Sequence, residues 1–147
     1  MTVDRSYVPK NDAQRARLEA LVARCSDADL ARPMPAGWTV AAVLGHMAFW
    51  DQRIVVLIER WRRSGEVPRP EHPSDVEWIN DSAKPMLLAV PARTLAELAV
   101  ATARSVDALV AGLPDEWVER IVAANVISLV RANHRGEHLD ELERGLR

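Results

Sequence analysis

Apolar residues recur along the 147-residue chain at the three- and four-residue spacing of helix faces, and apolar and polar residues never alternate long enough to argue for a sheet. Proline-bearing segments at residues 32–37, 66–73, 85–93 and 113–115 break the pattern into intervals of three turns or more. Four main helices and one short one are predicted.

Helix one is expected to start at Asn11, placed to accept from the amide three residues on while Gln14 reaches back, and its stripe is Leu18, Leu21, Val22 and Cys25. Helix two begins at Thr39, after the loop of Pro33, Pro35 and Gly37, and continues to about Ser64, a length of roughly 39 Å. One side of it carries Val43, His46, Met47, Trp50 and Ile54, and Trp38 staples its entry. A short helix over residues 74–83 includes Trp78, Ile79 and Asn80, with Pro85 limiting its extent. Helix three opens on a capping box of Thr94 with Glu97, buries Leu95, Leu98, Val106, Leu109 and Val110, and stops near Gly112 and Pro114. Helix four, residues 125–144, carries Val126, Leu129, Val130, His134, His138 and Leu142. The simplest packing is all-α: one domain over residues 1–147, a four-helix bundle with the short helix inside the long connection between helices two and three.

Composition agrees with a folded domain. At 48% hydrophobic and 27% charged residues the chain can bury a core without disulfides, and Cys25, its single cysteine, has no partner. A formal net charge of -2 gathers no phosphates, so no nucleic-acid partner is expected. The first residues lack the basic start and apolar run of a signal peptide, and no later stretch is read as approaching the ~20 apolar residues of a bilayer span. A cytoplasmic protein without a membrane segment is the expectation.

Helix geometry makes the histidines the candidate chemistry. His134 and His138 stand four apart on helix four, so both rings leave one face about one turn apart and can reach a single ion. On an exposed face the same pair would be merely solvated. His46 lies in the apolar stripe of helix two, where a neutral polar ring needs a partner: a metal ion or, more plainly, a backbone carbonyl or Glu141. Three imidazoles converging from two helices would form a facial set with positions open for water or substrate. Residues 134–138 also spell the H-x-x-E-H protease pattern, but that needs an acidic ligand well downstream, and only nine residues follow His138. Gly136 in mid-helix costs about 1 kcal/mol relative to alanine, which signals a close backbone approach, a relaxed helix or simple tolerance.

The stretch from Gly37-Trp38-Thr39 through His46-Met47-Ala48-Phe49-Trp50, the Asn80 region after Trp78, and His134-Arg135-Gly136-Glu137-His138 resemble the DinB-like superfamily. The resemblance runs over nearly the whole chain, and its most specific element is the paired occurrence of a histidine seven residues after the threonine and an H-x-x-x-H near the C-terminus. It implies a four-helix bundle of DinB-like type, a homodimer, and one divalent metal ion on His46, His134 and His138. Some relatives carry glutamate where His134 stands; an all-histidine set is implied here. Related members include a mycothiol-dependent maleylpyruvate isomerase and thiol S-transferases.

The expected function is accordingly a metal-dependent transferase or isomerase, acting on a small electrophilic substrate with a low-molecular-weight thiol. The ion, zinc or nickel, acidifies the thiol or a water, and Glu137 and Glu141 are candidate bases. Arginine far outnumbers lysine, a high-GC signature that suggests mycothiol as co-substrate. The alternatives are a metal- or small-molecule-binding bundle without turnover, and a structural dimer with incidental histidines. Trp50 and Arg53, about one and two turns after His46, could line the same cavity, with Arg53 pairing an anionic group, or be a core residue and a surface ion pair. Asn80 could point its amide into the cavity or cap a helix.

Overall fold

A computed structural model describes residues 2–66 and 69–147; Met1 and, within the expected break at 66–73, Val67 and Pro68 lie outside the described residues. In chain order the elements are α1 (Tyr7–Arg24), α2 (Asp27–Ala31), β1 (Pro33–Met34), a 3-10 turn (Pro35–Gly37), β2 (Trp38–Thr39), α3 (Val40–Ser64), α4 (Pro73–Ala89), α5 (Ala92–Ala111), α6 (Asp115–Ala124) and α7 (Arg131–Gly145). The long helices close a four-membered ring: α3 packs on α5 and α7, and α1 packs on the same two. α4 lies along α3.

The core is two apolar clusters with a charged layer between them. Leu18, Leu21, Leu44, Leu95, Leu139 and Leu142 belong to one cluster, and Tyr7, Ile54, Ile58, Trp61, Val106 and Val118 to the other. Between them Asn11, Asp51, Asp107, Arg131 and Arg135 are all buried. Buried charge is tolerated only when paired and hydrogen-bonded, and here it is. Arg135 forks onto Asp107 at 2.9 and 3.0 Å and reaches Asp51 at 3.3 Å, Arg131 bonds Asp51 at 3.0 Å, and Arg15 bonds Asp107 at 2.7 Å.

Several boundaries differ from the sequence reading, each for a local reason. α1 starts at Tyr7, and Asn11 is not its cap. Its side chain instead accepts from the amide of Ala132 at 2.9 Å and donates to the carbonyl of Leu129 at 2.9 Å, so it caps α7 from another helix. The short α2, unforeseen, is set by a reciprocal capping box of Ser26 and Asp29. A two-residue antiparallel ribbon pairs Pro33 with Thr39 and Met34 with Trp38, too short to leave a period in the sequence. α4 runs through Pro85 to Ala89, because the one amide that proline removes would have bonded the carbonyl of Asp81, an exposed residue that water can satisfy. α5 opens behind Pro91 without any side-chain cap, so the Thr94 and Glu97 box does not form. The expected fourth helix starts late, as α7 at Arg131, and an unforeseen helix, α6, precedes it, ended by the left-handed conformation of Asn125 (φ 53°).

By length and composition alone α3 is long and apolar enough to cross a membrane, which the sequence reading had not found of any stretch. In this fold its apolar side is buried against its neighbours in the bundle.

Candidate metal centre

The start of α3 fixes the phase of His46. The Thr39 hydroxyl accepts from the amide of Ala42 at 3.1 Å, and His46 follows two turns later beside Gly45. A Cβ on Gly45 would stand 2.7 Å from a methyl of Leu95 and 2.9 Å from one of Leu87, so α3 approaches α5 and α4 closely there. On the facing helix, the cap from Asn11 fixes where α7 begins, and His134 and His138 follow on one face.

The three rings meet. His46 lies 5.5 Å from His134 and 4.8 Å from His138 between ring centroids, and the His134 and His138 rings are 4.6 Å apart. One nitrogen from each ring lies within 4.8 Å of the other two, and Nε2 of His134 is 3.1 Å from Nε2 of His138. A tetrahedral ion with nitrogen ligands at about 2 Å holds neighbouring donors roughly 3.3 Å apart, so the donor set fits a single ion with small ring adjustments. Glu141 Oε2 lies 3.3 Å from Nδ1 of His138. With the proton on Nδ1, that carboxylate orients the ring and leaves the Nε2 lone pair aimed at the centre.

Burial keeps two of the rings neutral. It pushes His46 down to about 4, helped by the charge of His138. It pushes His134 down to about 3, helped by His138 and then by Arg131, His46 and Arg135. Neutral imidazole is the metal-binding form. In the metal-free protein the folded values lie below the ordinary value of 6.5. The unfolded chain therefore takes up protons first as pH falls, so stability is full above about pH 6.5 and declines towards pH 4. The urea midpoint of the metal-free protein is expected to drop between about pH 7 and pH 5, and His134→Asn to flatten that slope.

A cavity of about 690 Å³ opens on His46 and His138, with Met34, Trp38, Asn80 and Arg144 among its walls. Trp38 does more than staple the helix entry, since its ring stands edge-on to His46 at 5.8 Å. Asn80 is inside α4 rather than capping it, and its Oδ1 accepts from Nε1 of Trp50 at 2.8 Å. Trp50 stands behind, 6.4 Å from the His46 ring. Arg53 does not line the cavity: it stacks 5.2 Å from the Trp50 ring and pairs with Glu71. Glu137 is exposed and not among the lining residues, whereas Glu141 is.

The model of the DinB superfamily matches residues 10–139 of this chain. The chain belongs to the DinB superfamily. It matches no curated protein and no solved structure. For a DinB-superfamily bundle the paired histidine elements at residues 46 and 134–138 were the informative signal. Sequence reasoning missed the charged layer that flanks His134, although Asp51 and Asp107 left a trace as carboxylates inside apolar helical stripes. Met34 and Arg144 left none, since neither stands in the helical register of the histidines.

Gly136 has a simple explanation in this setting. An added Cβ would meet only the Gln14 side chain, at 3.5 Å, an ordinary contact. Gly136→Ala is expected to raise stability by about 1 kcal/mol, read as a higher Tm, with metal content unchanged.

Proposed function

We propose that this DinB-superfamily chain is a metal-dependent transferase or isomerase that joins a low-molecular-weight thiol to a small electrophile. The observation that carries the reading is the meeting of three imidazoles, two of them held neutral by burial, at a cavity large enough for a small molecule. His46, His134 and His138 would hold one divalent ion, and borderline nitrogen donors suit zinc or nickel. When bound, that ion supplies Lewis acidity that favours a deprotonated thiol or water.

The chain's own residues do the rest. Glu141 holds the Nδ1 proton of His138 and fixes its ring. Trp38, Met34 and Val43 give the cavity apolar walls that keep water from a thiolate. No protein nucleophile is required, and Cys25, the one thiol, is buried with its pKa pushed up by burial, which keeps it protonated. The test is transfer to a fluorogenic alkylating electrophile by metal-loaded protein, with mycothiol, bacillithiol and glutathione as separate thiols. Turnover that disappears in His46→Ala together with the metal supports the reading. Full metal with no turnover for any thiol and a broad panel of electrophiles replaces it with a binding bundle.

A further inference from the structure

The cavity beside the histidines contains two charged side chains among the described residues, Glu141 and Arg144, and they differ in their engagement. Glu141 faces Nδ1 of His138 at 3.3 Å. Arg144 has no carboxylate within ion-pair distance and no hydrogen-bond acceptor among the described residues. An arginine in the last turn of a helix complements the helix dipole, but that holds whichever way the side chain turns. It does not explain a guanidinium in the wall of this cavity. Lys84 adds positive charge at the same mouth: its ammonium lies 5.3 Å from the centre of the Trp38 ring and donates to the carbonyl of Ala36. Glu141 offsets one of these two cations, and the Arg144 fork is left free of any partner among the described residues. The apolar part of the cavity's lining includes Met34, Trp38 and Val43.

We propose that the molecule which meets the three histidines carries a carboxylate at its other end, and that Arg144 binds it. The inference rests on the metal-dependent reading above. A single free fork matches a planar monoanion bidentately, and the apolar wall accommodates the chain that joins the two ends. Arg144 takes the anion-binding role that the sequence suggested for Arg53, whose charge is already spent on Glu71.

The experiment uses full-length protein loaded with cobalt and titrated with two thiols of equal length, mercaptohexanoate and mercaptohexanol. Thiolate binding is followed by sulfur-to-cobalt absorption. Mercaptohexanoate is expected to bind roughly tenfold more tightly. Arg144→Gln is expected to abolish that preference while leaving cobalt stoichiometry and mercaptohexanol affinity unchanged, and Arg144→Lys to restore part of it. Equal affinity of the two thiols for the wild-type protein, or a preference that survives Arg144→Gln, overturns the carboxylate proposal and leaves the metal centre standing. Failure to take up cobalt overturns both.

Discussion

Asp107→Asn is expected to destabilise the fold by about 3–5 kcal/mol, with a matching fall in the urea midpoint. The substitution keeps the shape and removes the charge that faces both nitrogens of the Arg135 fork at 2.9 and 3.0 Å. Arg135 is 1% exposed, and its Nε already has no partner among the described residues. Its remaining acceptors would be Asp51 at 3.3 Å and the carbonyl of Asn11 at 3.2 Å, and Asp51 is shared with Arg131. A buried cation short of a counter-charge is the costly outcome. Against a total stability of roughly 5–15 kcal/mol, that loss leaves a marginal fold. Replacing both partners, as Asp107→Leu with Arg135→Met, removes the unpaired charge and is expected to restore part of the stability. A loss below about 1 kcal/mol for Asp107→Asn would place the value of a surface pair on this layer and would contradict its role.

The second large effect is at His46. His46→Ala is expected to weaken metal binding by at least about a hundredfold, because one of three protein donors is lost. It should leave the fold intact, since the residue is only partly buried and opens on a cavity. Its effect is thus separable from that of Asp107→Asn: metal lost with stability retained in one, stability lost in the other. Retention of stoichiometric metal by His46→Ala would remove this histidine from the centre. Circular dichroism together with competitive titration against a chromogenic chelator reads both properties.

What could be read from the sequence follows how local the causes are. Helical periodicity and the Thr39 cap place α3 correctly from end to end, and that alone fixes the phase of His46. His134 and His138 follow from spacing within one turn. The misplaced boundaries all involve partners distant in sequence or several local signals in competition. Asn11 has the chemistry of a cap, but the helix it caps begins 120 residues later, at Arg131. Asn125 looked like a helix start and is a helix end, because the same side chain suits a cap and a left-handed residue alike. Thr94 and Glu97 have the right spacing for a box, yet Pro91 had already opened the helix. The charged layer was hidden for another reason: Arg131 and Arg135 look like the outer face of α7 until α3 and α5 bring Asp51 and Asp107 to them and α1 adds the carbonyl of Asn11. Arg53 illustrates the converse, since its sequence position allowed a cavity role and Glu71 captured it.

The three-histidine centre is tested most directly by elemental analysis of protein produced without an affinity tag and purified without chelator. About one divalent ion per chain is expected, lost in His46→Ala and in His134→Ala and regained by neither on dialysis against zinc or nickel. Less than about a tenth of an ion per wild-type chain, with no uptake of zinc, nickel or manganese on addition, would contradict the centre.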